Sequence, residues 1–316
     1  MMKLLCAMVL CTTACLAAAQ AEPYPSRPIR VVVPFGPGSG ADIHGRFYAD
    51  MLGKALKATV YLENKPGASG SIGMQSIKSA PADGYSIAVV SPSLVVAPIM
   101  TRNAGYKVDE FQPIAGIAKG AIGFFVRADS RHTSLNDMLA EARKDRQALN
   151  IGTYAGSYQI GAAWLSMLSG AKLANIPYRG ASQAVTDMLG GNLDLLSADF
   201  NAMNSLVREG KLRALSVAAG SRLPELPGVP TVKETYAEYE NYIWIGLVVR
   251  TGTPAPVMER LARAMKTVMD SKESQEHLSR LGWQPMGLDA AGMQRFIAAE
   301  SRRYESVAQA TGIQPE

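Results

Sequence analysis

Cysteine is almost absent from this sequence. The three cysteines, Cys6, Cys11 and Cys15, all lie near the start. The rest of the chain can therefore hold no disulfide, no thiolate metal site and no cysteine nucleophile. Histidine is as scarce: His44, His132 and His277 are scattered, without zinc-site spacing. No G-x-S-x-G elbow occurs. Charged residues make up 19% of the chain and apolar residues 47%, a globular composition and not a disordered one. The formal charge of +5 comes without a dense basic run, which argues against a nucleic-acid partner. A mild positive excess still helps to gather anions. No catalytic residue, metal or cofactor is expected, and the chain is not read as an enzyme.

Long apolar runs are also missing. The uncharged stretch Leu4–Ala19 is too short to span a bilayer. It follows Lys3 and precedes Ala19-Gln20-Ala21, an A-x-A pattern, so residues 1–21 read as a secretory signal peptide cleaved after Ala21. Thr12, three positions before Cys15, does not suit a lipoprotein signal. Loss of the leader removes Lys3 and no acid, leaving a charge of +4. The exported remainder is long enough for two domains with separate cores.

What is present is a repeated rhythm of strand, loop and helix. Ile29–Val33 is an apolar run expected to be a strand buried on both faces. Ile43, Phe47, Met51 and Ala55 recur at helical spacing after it. Strands are expected near 59–62, 85–90, 150–153, 173–176, 193–196, 212–217 and 243–249, with helices between them. Pro254 begins a later helix and Asp289 caps the last one. Such alternation implies an α/β fold of mostly parallel sheets with right-handed crossovers. Two extended apolar segments, 121–126 and 242–249, read as passages between lobes. The expected division is residues 22–123 with 244–316 in one lobe and 124–243 in the other, closing by hinge motion.

The densest chemical signal is Pro34-Phe35-Gly36-Pro37-Gly38-Ser39-Gly40-Ala41-Asp42, joining the first strand to the first helix. Glycines let main chain approach a ligand, and the free N–H groups of a helix start attract an anion. The loop fits neither nucleotide pattern. Ala41 or Ile43 stands where the strict dinucleotide motif needs a third Gly, and Arg46 with no following Ser or Thr replaces the Lys of a phosphate loop. A tight turn with no ligand remains the alternative from the loop alone. Asp42 either complements the helix dipole or accepts from a bound water, amino or hydroxyl group. His44 is read as a surface or packing residue beside the cleft, with room for pH-dependent affinity.

Together with Glu63–Gly70, Pro81–Tyr85, Ile176–Ala181, Gly190–Asp194, Pro230–Glu234 and Gly252–Pro256, this loop resembles the tripartite tricarboxylate transporter receptors, the Bug-type periplasmic solute-binding proteins. The resemblance covers the chain beyond the leader. It implies a two-lobe, Venus-flytrap type of fold with two crossover strands. It also implies a periplasmic, monomeric receptor that binds a small carboxylate and delivers it to integral membrane transporter subunits. The family's first loop grips a carboxylate largely through main chain and water, which carries over to Gly38, Ser39, Gly40, Ala41 and Asp42. Ser39 stands where Gly is common, Gly36 where Ala is common, and Ala41 where Thr is common, so Ala41 offers no hydroxyl.

Further candidates lie at other strand ends, where α/β sheets place ligands. Phe35 belongs to the first loop, and Ser91 and Ser93 follow the third strand. Thr153, Gly156, Ser157 and Gln159 form a second strand-to-helix junction. There Ser157 caps the helix or faces a ligand, and Tyr154 and Tyr158 either wall the pocket or cover the surface. Tyr178, Arg179 and Gly180 form a third junction, where Arg179 either pairs a second carboxylate or is simply exposed. Asp199 completes the set. A membrane-coupled ligand sensor and an enzyme of unrecognised type are the rival classes.

Overall fold

The computed structural model describes residues 24–146 and 148–315. The expected leader, residues 1–21, lies outside them. β1 (Ile29–Val33) buries Ile29, Val31, Val32 and Val33 almost completely, at about 1.5–3 kcal/mol per side chain. Then follow α1 (Gly40–Leu56), β2 (Val60–Asn64), α2 (Ser71–Lys78), β3 (Ser86–Val90) and α3 (Ser93–Met100). β4 (Phe111–Gly120) runs into β5 (Ile122–Arg127) with only Ala121 between them. α4 (Leu135–Asp145), β6 (Leu149–Thr153), α5 (Gly156–Ser169), β7 (Leu173–Pro177), α6 (Ala181–Leu189), β8 (Leu195–Asp199), α7 (Phe200–Arg208) and β9 (Leu212–Ala218) follow. The chain ends with β10 (Ile243–Arg250), α8 (Ala255–Met269), α9 (Lys272–Arg280), β11 (Gln284–Leu288) and α10 (Ala290–Thr311). Asp289 caps α10 by accepting from the Gly292 N–H. β4, α3, α9 and β11 were not foreseen from the sequence, and β8 ends three residues later than its apolar run suggests.

Two sheets result, in the orders β11-β4-β10-β3-β1-β2 and β7-β6-β8-β5-β9. They are mixed, not mostly parallel. β1, β2 and β3 are mutually parallel, as are β6, β7 and β8, whereas β10 is antiparallel to β3 and β4, and β5 to β8 and β9. The chain's path explains this. β4 delivers it to the edge where β1 and β3 end, so β5 must enter the second sheet from that edge. The parallel strands of the second sheet also end there, because Ile122 pairs with Asp199 at the end of β8. β10 returns from the same edge and therefore runs against β3. The two sheets thus meet at the C-terminal edges of their parallel strands, where an α/β fold places its ligands.

Packing presses helices and lobes together at glycines. A Cβ on Gly45 of α1 would lie 2.8 Å from Val33 Cγ2, so only glycine lets α1 sit this close to β1. One apolar cluster covers the first sheet and continues onto one face of the second, while Phe125, Met188, Leu196 and Phe200 lie in a separate cluster on the other face. β5 shows the alternation: Ile122, Phe124 and Val126 join the first cluster and Phe125 the second.

Asn241, just before β10, ties the lobes together. It is buried, accepts from Tyr304 Oη of α10 at 3.0 Å and donates to the Ser157 carbonyl of α5 at 3.2 Å. Tyr239 Oη donates to the Gly161 carbonyl one turn further along α5. Replacing Asn241 with Ala strands two buried polar groups. It is expected to lower the unfolding free energy by about 1–3 kcal/mol. Denaturant titration reads this, and a change within experimental error would count against the brace.

Candidate functional site

The first loop is built around one carboxylate. Gly38 takes φ +80°, a left-handed conformation that favours glycine. Ser39 is the N-cap of α1, and its hydroxyl accepts from the Asp42 N–H at 3.2 Å. Asp42 is buried, and both of its oxygens are committed. Oδ2 accepts from the Gly38 N–H at 2.9 Å and from Arg46 Nε at 3.0 Å. Oδ1 accepts from Asn64 Nδ2 at 2.8 Å and pairs with Arg46 Nη2 at 3.0 Å. Burial alone would raise the Asp42 pKa, but the hydrogen bonds from Arg46, Gly38 and Asn64 outweigh it and hold the carboxyl below its ordinary value. Asn64 also donates to the Phe35 carbonyl, so the second loop holds the first in shape. With Asp42 N and Ile43 N directed to Ser39, the Gly40 and Ala41 N–H groups of the helix start have no hydrogen-bond partner among the described residues.

The second loop is tightly fitted against the first. A Cβ on Gly73 would fall 2.8 Å from Pro34 Cα, and one on Gly70 would meet Pro34 Cβ at 3.3 Å, Ser93 Oγ at 3.4 Å and Phe35 Cζ at 3.6 Å. Ala68 and Ser69, in the same loop, hold positive φ values of 46° and 53°. Such conformations are strained for residues with a Cβ and are held only by the surrounding structure. Ser91 and Ser93 share a hydrogen bond at 3.0 Å.

Across the interlobe boundary, α5 starts at Ala155 with no side chain capping it, which leaves the Gly156 and Ser157 N–H groups to find partners elsewhere. Ser157 is therefore not the cap; it is a buried residue inside the first turn. Gly156 lies against α3 of the first lobe, since a Cβ there would meet Val96 Cγ1 at 2.8 Å and Met100 Sδ at 2.9 Å. Asp199 caps α7 by accepting from the Asn201 N–H at 3.0 Å, and its own N–H donates to Tyr154 Oη at 3.1 Å. The Tyr154 and Tyr158 rings meet edge to face with centroids 4.7 Å apart. Asp199 Oδ2 would stand 3.7 Å from a Cβ on Gly40, so the α1 start and the β8 end face each other. Burial pushes the Asp199 carboxyl up to about 6, only partly offset by hydrogen bonds from the Asn201 and Ala202 main chain and the Asn201 side chain.

Other candidates are spent or peripheral. Thr153 Oγ1 donates to Asn175 Oδ1 at 2.6 Å and is buried in the sheet. Tyr178 Oη donates to Asp187 Oδ2 at 2.7 Å, and burial with that neighbouring acid pushes its pKa up to about 12. Arg179 is exposed, and its N–H donates to Gln183 Oε1. Gly180 caps α6 without a side-chain bond, and Gln159 is half-buried in the first turn of α5. His44 does not face the cleft. It is buried, with Nδ1 at 3.2 Å from His277 Nε2 and its ring edge-on to Trp283. Burial, then His277, lowers its pKa to about 3, far from any physiological titration.

The sequence model described as the tripartite tricarboxylate transporter family receptor matches residues 45–313. This chain belongs to that receptor family. A UPF0065 protein of Bordetella pertussis is 30% identical over 304 residues, covering 95% of this receptor and 94% of that protein. The periplasmic binding protein BugD superposes with a TM-score of 0.82 at 27% identity, over 93% of this receptor and 100% of that chain. The R. palustris protein Rpa4515, solved with adipate, superposes with a TM-score of 0.85 at 28% identity, over 93% and 100%. The receptor thus has the two-lobe α/β fold of periplasmic binding proteins. Among the described residues, no helix is long and apolar enough to cross a membrane, and no three of His, Asp or Glu are grouped as a metal site.

Two outcomes test this geometry. Asp42→Ala releases the first loop and is expected to weaken ligand binding by about tenfold or more through lost pre-organisation. His44→Ala should mainly cost stability, so equal effects on affinity in calorimetry would count against the assignment. Asp199 has a folded pKa above its unfolded value, so the native state binds more protons between pH ~4 and ~6 and loses stability as pH rises through that window. Asp199→Asn should flatten this slope, which melting temperatures measured from pH 4 to 7 will show.

Proposed function

We propose that this receptor captures a small carboxylate between its two lobes, residues 22–123 with 244–316 on one side and 124–243 on the other. We propose further that it acts as an exported monomer in the periplasm and hands the ligand to the membrane subunits of a tripartite transporter. The observation that carries the reading is the meeting of two helix starts at one edge. The uncommitted Gly40 and Ala41 N–H groups of α1 and the side-chain-free start of α5 at Gly156 and Ser157 belong to different sheets that join at that edge. Helix starts of this kind bind carboxylates without an arginine. Rpa4515 with adipate supports a carboxylate as the ligand class.

On this reading Gly38, Ser39, Gly40, Ala41, Gly156 and Ser157 supply main-chain donors. Phe35, Ser91, Ser93 and Gln159 line the approach. Asp42 holds the first loop in shape without touching the ligand. The hinge lies at the two crossings between these parts, one where β4 runs into β5 and the other just before β10. Closure expels water, which strengthens each N–H to carboxylate bond.

A thermal-shift screen of small mono- and dicarboxylates, adipate among them, tests the binding claim. A true ligand at 100 times its Kd adds about 2.7 kcal/mol of stability and raises the melting temperature in proportion to its dose. A folded sample that no carboxylate stabilises would overturn the reading. Delivery is tested by deleting the gene: loss of ligand uptake supports a transport receptor, whereas intact uptake with lost induction points to a sensor.

A further inference from the structure

The cleft contains one acid that the anion-binding geometry does not use. Asp42, further hydrogen-bonded by Asn64 and Gly38, is neutralised by Arg46. Asp199 is not. Among the described residues its carboxyl takes hydrogen bonds only from the start of its own helix, Asn201 and Ala202, and these donors are neutral. No Lys, Arg or His among the described residues contributes to its environment as a counter-charge. Yet Oδ2 is turned toward the α1 start in the other lobe, 3.7 Å from where a Cβ on Gly40 would lie. The neighbouring Tyr154 already accepts from the Asp199 N–H, and burial, with Asp199 itself as a further cause, pushes this phenol up to about 12, so it stays neutral and supplies no charge either.

A plain carboxylate entering between Gly40 and Gly156 would stand beside this second acid in a water-poor space. Two neighbouring anions with no cation between them repel strongly at low dielectric, and one must take up a proton or stay away. A ligand that carries its own cation next to its carboxylate removes the conflict. Its carboxylate meets the helix-start N–H groups while its ammonium meets Asp199 Oδ2. Resting on the carboxylate reading above, we propose that Asp199 is the specificity-determining residue of the cleft and selects α-amino carboxylates over the plain acids of the same skeleton. The raised pKa of Asp199 fits this, because burial disfavours the ionised form of a carboxyl that has no cation beside it among the described residues. A ligand hydroxyl would satisfy the same oxygen with a weaker, neutral hydrogen bond, so hydroxy acids rank between the two classes.

The test uses matched pairs in calorimetry: succinate with aspartate, glutarate with glutamate, butanoate with 2-aminobutanoate, and 3-phenylpropanoate with phenylalanine. Wild-type protein and Asp199→Asn are compared. Asparagine keeps the acceptor oxygen that caps α7, and a cooperative melting transition with an unchanged far-UV circular dichroism spectrum confirms the fold. In wild type, the amino member of any pair that binds should bind at least about tenfold more tightly, the worth of one charge-assisted bond. In Asp199→Asn that ratio should shrink to about threefold or less, chiefly through weaker binding of the amino acid. A plain acid that equals or exceeds its amino partner in wild type would overturn the proposal and leave the carboxylate reading standing. So would a preference that survives Asp199→Asn. No binding by either member of any pair would overturn both.

Discussion

The chain can pass between the two lobes only where its strands end, and the rest of the architecture follows from that constraint. β4 reaches the C-terminal edge of the first sheet at Gly120, and one residue later β5 begins at the corresponding edge of the second. A strand entering there must run against strands that finish there, so β5 and β10 are antiparallel to their parallel-strand neighbours. The same constraint faces the helix starts of one lobe toward those of the other. A helix that follows a parallel strand begins where the strand ends, so α1 and α5 present their first N–H groups at one boundary. The two-lobe ligand trap is in this sense a consequence of strand direction.

Around that boundary the polar groups divide into those that build and those left over. Asp42 spends its charge on Arg46 and its second oxygen on Asn64, and the result is a fixed first loop. Asn241 joins α10 to α5 and sets where the second lobe's helix start stands. His44 and His277 pair inside the first lobe, between α1 and α9. Asp199 is the exception, since its charge has no cation partner among the described residues, and its carboxyl faces Gly40 of the other lobe. A buried acid with no cation beside it among the described residues is costly, and function is the usual reason such a cost is kept.

Much of the secondary structure could be read from periodicity. The apolar run 29–33 could only be a buried strand, and the spacing of Ile43, Phe47, Met51 and Ala55 could only be a helix. β4 escaped because Pro113, Gly116 and Gly120 interrupt its pattern, although its ladder with β10 shifts register beside Pro113 and Gly116 and pairs Gly120 with Ile243. β11 escaped because Pro285 and Gly287 read as turn residues, and an edge position tolerates both. The apolar residues of β8 mark where it enters the core, but pairing with β5 carries the strand on to Asp199. Propensity cannot see such a partner.

The sequence by itself determined the parts whose cause is local. The glycine-rich loop, the alternation of strand and helix and the N-cap at Asp289 rest on residues near one another in the chain, and the family resemblance rests on a series of such short segments. Tertiary structure alone decided which polar groups remain available. Asp42 could either complement the helix dipole or accept from a ligand, and in the fold Arg46, Asn64 and the Gly38 N–H occupy both its oxygens. His44 could be a surface or a packing residue, and only His277, 233 positions away, makes it a buried packing one. Asp199 looked like one strand-end residue among many until Gly40 of the other lobe came to face it. Whether a side chain binds a ligand depends on what else has already bound it, and those partners are brought together only by packing the two lobes.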